Sequence, residues 1–287
     1  MKAVFKHELR SYFHSLTAYV FAAFLLLFIG IGAMLYNLQA AVSNFEYVLS
    51  FSSLIFVVLI PILTMRSISE ERKQKTDQLL YSLPLTTVEV VMGKFLAMLT
   101  VFAIPMLIIC VYPLIFAQYG DVYLPTSYGS MAAFFLTGAG FIAVGLFISS
   151  LTENQGMAAG ITIAVILFNY YSVSLAEYTS STALGSLIAL WVVAVVLGVV
   201  VKILTRNENL GYVTGFGLAI ASFAVYLIDS TKFEGLLPDI MRTLSLFERL
   251  NTFVNGVFDL TAVVFYLSVI TVFLFLTVQS LEKRRYN

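Results

Sequence analysis

Long apolar runs separated by short polar segments dominate the amino-acid sequence. Eight runs of 18 to 24 residues reach or approach the length that an α-helix needs to cross a lipid bilayer. Lys202 is the one charged residue inside these runs, and it lies near the end of its run, where its side chain can reach the interface. The pattern predicts an all-α protein, a polytopic bundle of transmembrane helices. The runs cover residues 17–38, 48–65, 95–117, 128–151, 157–175, 184–204, 210–228 and 260–278.

The predicted number of transmembrane spans is six to eight, and eight is favoured. The fifth and sixth runs are separated by only eight residues, so a partly re-entrant pair is the alternative there. The chain is 60% hydrophobic and 11% charged, with a mean hydropathy of +0.94, which is far from the soluble average. Buried helices of a large soluble core would need far more chain than 287 residues for eight such runs. We expect one membrane domain over residues 1–287.

The distribution of Lys and Arg residues predicts the orientation of the spans. With the N-terminus in the cytosol, the inner side receives 13 of these residues and the outer side three, all between residues 229 and 259. The inverted topology would place the 13 cations outside, against the positive-inside rule. Both termini and the polar residues 66–93 are therefore predicted to be cytosolic.

Residues 66–93, here called the polar segment, carry eight of the chain's 32 charged residues. Ser67 or Ser69 is predicted to cap a helix with Glu70 and Glu71 in its first turn, where acidic side chains complement the helix dipole. A charged loop is usually only a solvated connector, but the length and helical order of this one favour an interfacial helix. The three-to-four spacing that supports the helix joins Ile68, Arg72, Lys75, Leu79 and Leu83.

The end of the polar segment is predicted to contain a second, shorter helical turn. Pro84 stops the first helix, because the residue before a proline is pushed out of the α region. Thr86 or Thr87 is expected to cap the second turn together with Glu89. The chain then re-enters the membrane at Lys94.

Two other segments outside the apolar runs have amphipathic character. In residues 1–16 the apolar side chains share one helical face, which predicts a short helix in the inner membrane interface; a positively charged flank explains the pattern about equally well. Residues 229–259 have apolar positions at spacings of three and four, which predicts an amphipathic helical segment on the outer side. A packed surface helix is the more common outcome there, and a lid over a substrate is the alternative.

Small residues in several runs permit close approach of neighbouring helices. Such patterns serve either packing within one chain or dimerisation, and the sequence leaves both open. The glycines concerned are Gly156-x-x-x-Gly160 and Gly211-x-x-x-Gly215, together with Gly138, Gly140 and Gly145.

The chemistry-bearing residues exclude several functions. No G-x-x-x-x-G-K-[ST] phosphate loop is present, so we expect no ATP hydrolysis on this chain, and an embedded enzyme is disfavoured. Cys110 lies within an apolar run and His7 and His14 precede the first, so no metal or cofactor site is expected. The runs contain no carboxylate or histidine, which counts against transport driven by an ion gradient. A separate ATPase is the favoured energy source, and a gradient-driven carrier or a channel is the alternative.

The polar segment and its flanks resemble ABC-2-type permeases, and among these the gliding-motility GldF-like branch is most similar. Further parts of the chain extend the resemblance over most of its length. The specific stretches are PILTMRSISEER from Pro61, KTDQLL from Lys75, SLPLT from Ser82 and the pair Gly93-Lys94. The additional stretches are KHELRSYFHSLTAYVF from Lys6, SSLTENQ from Ser149 and LSLFERL from Leu244.

The resemblance implies that residues 66–94 are a cytosolic loop with a coupling helix that docks into a groove on a separate ATPase. Many members of the family have glycine where this chain has Lys75, and the family core usually has six spans. Carried over to this sequence, the residues that would make or support the contact are Glu70, Glu71, Arg72, Lys73, Thr76, Leu79 and Leu80.

The resemblance also implies the wider assembly. The chain would be the permease subunit of an ATP-driven exporter in the plasma (inner) membrane of a prokaryote. Its partners would be a cytosolic ABC ATPase, which holds ATP and Mg²⁺, a second permease chain in a homodimer or heterodimer, and an extracytoplasmic accessory subunit. No cofactor on this chain is expected. Nucleic acid is not an expected partner, because the net charge is zero and no basic stripe is present.

Overall fold

The structure, a computed structural model, describes residues 1–76, 85–178, 182–205 and 208–285. The chain is 85% helical, and no strand occurs in these ranges. The helices are α1 (Lys2–His14), α2 (Thr17–Gly32), α3 (Glu46–Ser52), α4 (Phe56–Thr64), α5 (Ser69–Lys73), α6 (Thr87–Ile109), α7 (Tyr112–Phe116), α8 (Leu124–Leu151), α9 (Gln155–Tyr178), α10 (Ala183–Thr205), α11 (Glu208–Ile228), α12 (Leu236–Thr243), α13 (Leu246–Val254) and α14 (Leu260–Arg285). A π-helical turn (Ala33–Gln39) extends α2, and 3-10 turns occupy Ser53–Ile55 and Ser230–Phe233.

The prediction of a polytopic helical bundle is confirmed. Within the described ranges, seven helical stretches are long and apolar enough to cross a membrane. The sixth predicted run, residues 184–204, falls in α10, where Ala183–Val195 forms a shorter apolar helix. The seven stretches are Thr17–Gln39, Glu46–Lys73, Thr87–Phe116, Leu124–Leu151, Gln155–Tyr178, Glu208–Ile228 and Leu260–Arg284.

The second stretch is longer than the apolar run that predicted it. It begins at Glu46 with α3, continues through α4, and ends with α5 inside the polar segment. The start of the polar segment is therefore the direct continuation of a membrane-length helix.

Helix α8 forms the centre of the first of two compact units, which comprises Met1–Tyr170 and Arg249–Asn287. Its glycines let neighbouring helices approach closely: a Cβ at Gly138 would collide with the ring of Phe102, and one at Gly145 would collide with Thr64. The rings of Phe56 and Phe134 pack beside this contact at a tilt of 38°, with centroids 4.6 Å apart. These glycines serve packing within the chain.

Both chain termini lie at the same end of this unit as the polar segment. Near the C-terminus, Ser280 Oγ donates to Ser150 O over 3.3 Å, and Arg284 pairs with Glu153. That ion pair holds the pKa of the Glu153 carboxyl below its ordinary value. Helix α1 also packs at this end, where Val4 lies against Gly93 of α6.

The second compact unit, Tyr171–Glu248, contains the helical pair α10 and α11. A Cβ at Gly198 would lie 2.8 Å from the carbonyl oxygen of Gly211, so only glycine permits this crossing. Lys202 and Glu208 form an ion pair of 2.6 Å near the same end of the two helices. The glycine pattern around Gly211 therefore also serves contacts within the chain.

Replacing Gly145 by leucine is expected to destabilise the protein by roughly 1–3 kcal/mol, because the new side chain must displace Thr64 in a close-packed core. Thermal unfolding of the purified chain in nanodiscs measures the effect. Gly160→Leu is the matched control, since no described atom lies within 4 Å of a Cβ at that helical position. Equal losses in the two variants would contradict the packing role of Gly145.

Candidate functional site

Helix α5 is held at its N-terminus by a distant residue rather than by a local cap. The N-cap residue is Ile68, and it provides no capping side chain, so the prediction of a cap by Ser67 or Ser69 is wrong. Instead, the Ser149 hydroxyl at the end of α8 accepts hydrogen bonds from the backbone N–H groups of Ile68 and Ser69, at 3.2 and 3.1 Å. This satisfies donors that every helix start leaves open.

Helix α5 is shorter than its sequence spacing predicts. It ends at Lys73, and Lys75 has a φ of +58°, in the left-handed region that glycine adopts most readily. The predicted continuation through Lys75 is therefore wrong, because that residue turns the chain. Leu79, Leu80 and the predicted stop at Pro84 lie outside the described residues.

A buried ion cluster joins α5 to two other helices. Lys94 Nζ, in the first turns of α6, lies 2.6 Å from Glu8 Oε1 of α1 and 2.6 Å from Glu71 Oε1 of α5. Its third hydrogen bond goes to Ser67 O at 3.0 Å, so all three ammonium donors are used. The Lys94 side chain is 1% exposed, against 12% for Glu8 and 24% for Glu71. We call these three residues the ion cluster.

Helix α1 docks beside the ion cluster through apolar and polar contacts. Val4 packs so closely on Gly93 that a Cβ there would lie 2.9 Å from Val4 Cγ1. Tyr12 donates its hydroxyl hydrogen to Leu63 O over 3.0 Å, and burial raises the pKa of this phenol, so it stays a neutral donor. The apolar face of α1 thus packs on protein, and Lys6 on the opposite face is exposed.

The inward face of α5 is also tied to α8. Arg72 is buried, and its Nη1 donates to the carbonyl oxygen of Ser150. The same carbonyl accepts the hydroxyl of Ser280 from α14. Thr76 donates to Glu71 O at 3.3 Å and closes the turn after the helix. The inward residues of α5 therefore anchor it to the membrane helices.

The outward face of α5 carries exposed charge. Glu70 pairs with Arg66 one turn earlier at 3.1 Å and accepts a hydrogen bond from Gln74 at 3.3 Å. Lys73 is exposed beside them. The residues carried over from the resemblance thus divide into two groups, with Glu71 and Arg72 turned inward and Glu70 and Lys73 turned outward.

Helix α6, which begins within the polar segment, starts as its sequence predicts. Thr86 Oγ1 accepts from Glu89 N at 3.2 Å, while Glu89 Oε2 accepts from Thr86 N at 3.3 Å, which forms a capping box. The predicted cap is confirmed, but it opens the long helix α6 rather than a short separate turn.

Several residues of the site could not be found from local pattern. Glu8 and Lys94 are 86 positions apart, and Ser149 is 80 positions from Ser69. The sequence contains one indication of these contacts. Lys94 lies at the start of an apolar run, and a charge in that position needs a partner.

The membrane-length helical stretches extend beyond the predicted apolar runs, so they include charged residues that the runs themselves lack. The second stretch begins at Glu46, whose side chain is buried at 1% exposure, and the third includes Lys94. In the described ranges, no group of three His, Cys, Asp or Glu residues could hold a metal ion.

A model of the ABC-2 family transporter proteins matches residues 7–175. The match covers more than half of the 287 residues and includes α5 and the ion cluster, so the chain belongs to this family. It is a multi-pass membrane protein and the permease component of an ABC transporter, a class that generally pairs with a cytosolic ABC ATPase. No curated protein matches the sequence.

Replacing Lys94 by methionine is expected to cost roughly 3–5 kcal/mol of stability, because two carboxylates then remain without their buried cation. Thermal unfolding in nanodiscs provides the measurement. Lys6→Met makes the same chemical change on the exposed face of α1 and should stay within about 0.5 kcal/mol of the unsubstituted chain. Similar losses in both variants would show that the ion cluster does not hold this end together.

Replacing Lys75 by glycine is expected to stabilise the protein by roughly 1 kcal/mol, because its left-handed φ strains any residue with a Cβ. Lys73→Gly, two residues earlier and inside α5, should instead be destabilising by about 1 kcal/mol. Chemical or thermal unfolding of the two variants compares the signs. Destabilisation by both would contradict the turn at Lys75.

Proposed function

We propose that this permease couples its spans to a separate cytosolic ATPase through α5 and the residues that follow it. The supporting observation is that α5 has two faces with different partners. Glu71 and Arg72 are bound to the membrane helices, whereas Glu70 is half-buried and pairs with Arg66 on the other face, and Lys73 is exposed. A short helix built in this way can receive a force on one face and deliver it through the other.

The ion pair and the hydrogen bond on the inward face of α5 determine which helices would move when α5 is displaced. Glu71 pairs with Lys94 of α6, and Lys94 also pairs with Glu8 of α1. Arg72 donates a hydrogen bond to Ser150 of α8. Charged hydrogen bonds in a buried setting are costly to break, so α6 and α8 would move with α5 rather than separate from it. Closure of two ATPase subunits on ATP would then tilt the spans and alternate access between the two sides.

In this proposal the ATPase holds ATP and Mg²⁺, and two permease chains form the pathway as a homodimer or heterodimer. The polar segment and both termini face the cytosol of a prokaryote, following the distribution of positive residues. Membership of the GldF-like branch, export as the direction of transport and an extracytoplasmic accessory subunit complete the proposal. They rest on the sequence resemblance.

Contact roles are assigned by exposure. Glu70 and Lys73 would meet the ATPase directly, and Leu79 and Leu80 stay proposed contacts on the strength of the resemblance. The remaining three carried-over residues, Glu71, Arg72 and Thr76, would support α5 from within.

The second candidate is a gradient-driven carrier without an ATPase. The buried carboxylate of Glu46 is the specific observation in its favour, because ion-coupled carriers place such groups within their spans. Hydrolysis by the ATPase that stays unaffected by the permease, together with transport that needs only a pH gradient, would select this function.

Lys73→Glu is expected to weaken binding of the ATPase by about tenfold, since reversing a charge at the contact that costs ~1.4 kcal/mol of binding free energy lowers the affinity by that factor. The ATPase to be used is an ABC ATPase whose reading frame is found to adjoin that of the permease. Co-purification and stimulation of ATP hydrolysis in liposomes measure the effect. Glu71→Gln is unsuitable for this purpose, because Glu71 belongs to the ion cluster and its loss would also alter the fold.

Lys232→Glu provides the matched control, because Lys232 is an exposed lysine in the 3-10 turn between α11 and α12 and is predicted to face the outer side. It should leave stimulation unchanged. An unchanged unfolding temperature in both variants shows that the fold is intact. If Lys73→Glu and Leu80→Ala both stimulate hydrolysis as the unsubstituted chain does, docking through this segment is wrong.

A further inference from the structure

Helices α10 and α11 leave an apolar groove between them that the proposed coupling does not use. The groove has a volume of about 540 Å³. Its lining combines glycines at the crossing of the two helices with large apolar side chains on both. Val199 of α10 and Phe216 of α11 belong to the lining and are 50% and 67% exposed. The groove is therefore open along the surface of the second compact unit.

The two ends of the groove differ in polarity. At one end Lys202 lines the groove, and its Nζ lies 2.6 Å from Glu208 Oε1 and 5.6 Å from the centroid of the Tyr212 ring. The side chains of Lys202 and Glu208 are 41% and 67% exposed, so a headgroup can reach this ion pair. At the other end the rings of Trp191 and Phe223 pack with centroids 6.0 Å apart. The groove thus runs from a pair of opposite charges to an apolar end.

The length of the groove matches one leaflet of a bilayer. Trp191 and Lys202 lie about three turns apart on α10, which is roughly 16 Å along the helix axis. The hydrocarbon core of a bilayer is about 30 Å thick, so each leaflet contributes ~15 Å. When Lys202 lies at the interface, the Trp191 end therefore lies near the middle of the bilayer.

The groove is too narrow for a transmembrane helix. Its volume of about 540 Å³, spread over this length, gives a mean cross-section of roughly 34 Å². An α-helix with its side chains is at least ~10 Å across, which corresponds to roughly 80 Å². An unbranched acyl chain is a single file of CH₂ groups and is much thinner. Length, width and polarity together favour an acyl chain in this groove.

The charged end of the groove provides the selectivity. Apolar contact alone does not select a lipid, because lipid tails are as apolar as the groove. An ammonium group has three donors and a carboxylate about four acceptor positions, so the pair of Lys202 and Glu208 has capacity for further charged groups. The phosphate of a phospholipid can accept from Lys202, and a primary ammonium in the same headgroup can donate to Glu208. An anionic headgroup without that ammonium would be repelled by the Glu208 carboxylate.

We propose that the groove between α10 and α11 binds one molecule of phosphatidylethanolamine. An acyl chain lies along the groove, and the headgroup lies at Lys202 and Glu208. The lipid belongs to the leaflet at the Lys202 end, which the distribution of positive residues predicts to be the inner leaflet. The inference concerns lipid binding and does not depend on the ATPase or on the cargo.

The test uses the fluorescence of Trp191, which is the chain's one tryptophan. The full chain is reconstituted in vesicles of equal parts phosphatidylethanolamine and phosphatidylglycerol with the same acyl chains. Bromine atoms, which quench tryptophan on contact, are placed near the ends of the acyl chains of one lipid or of the other. Because the bulk composition is identical, a difference between the two labels measures the selectivity of the groove. Brominated phosphatidylethanolamine should quench more strongly, with about threefold higher occupancy, a factor that one exposed ion pair can contribute.

Two variants with matched controls connect the preference to the groove. Glu208→Gln should remove it, because Lys202 then attracts an anionic headgroup at least as well; Glu234→Gln makes the same change at an exposed carboxylate outside the groove and should keep it. Ala219→Leu fills the groove and should equalise the two labels. Gly217→Leu adds bulk on the same helix outside the lining, where no described atom lies within 4 Å of a Cβ, and should keep the difference.

Four results would overturn the proposal. Equal quenching by the two labels in the unsubstituted chain would show that the groove does not select a headgroup, and stronger quenching by brominated phosphatidylglycerol would assign it to an anionic lipid. Weak quenching by both labels would show that protein, such as a second copy of the chain, covers Trp191. A preference that persists in both Glu208→Gln and Ala219→Leu would place the lipid elsewhere. Thermal unfolding verifies that the variants are folded, and the comparison in the unsubstituted chain needs no variant.

Discussion

The burial of one ammonium group sets the arrangement of the whole polar end. Lys94 can leave water only if its three N–H donors find acceptors, and they find them on α1, α5 and the turn before α5. Helix α1 must therefore lie against α6, where Gly93 makes room for it, and α5 must turn Glu71 inward. What remains for a partner is the opposite face of α5. The two faces of α5 therefore have different roles, because the buried Lys94 binds Glu71 on the inward face.

The helical type of the spans could be predicted because hydrocarbon imposes a length and a polarity on every helix that crosses it. The residues at which the spans begin and end could not be predicted in this way. The second helical stretch begins at Glu46 and runs on through α5, so it extends beyond both ends of the apolar run that predicted it. A charged residue ends an apolar run whether water or another side chain satisfies it. Hydropathy cannot distinguish the two cases, and Glu46 and Lys94 both belong to the second.

Within the candidate site, local features were predictable and distant ones were not. The capping box of Thr86 and Glu89 depends on residues three apart, and it could be read directly from the sequence. The start of α5 depends on Ser149, which is 80 positions after Ser69. The local sequence therefore predicted a cap by Ser67 or Ser69, which was wrong. The resemblance placed glycine where Lys75 stands, and the positive φ there gives the physical reason.

The bonds of α5 also imply an order of assembly during synthesis. Glu8 and Glu71 both precede Lys94 in the chain, so the ion cluster can close as soon as α6 is made. The acceptor for Arg72 is Ser150, about eighty residues later, and Ser280 joins the same carbonyl only when the last span is complete. Because chains begin to fold from the N-terminus while they are translated, α5 acquires its anchors in stages. Its inward face is fully engaged once α8 has been inserted, and the last helix adds a second donor to the Ser150 carbonyl that Arg72 already binds.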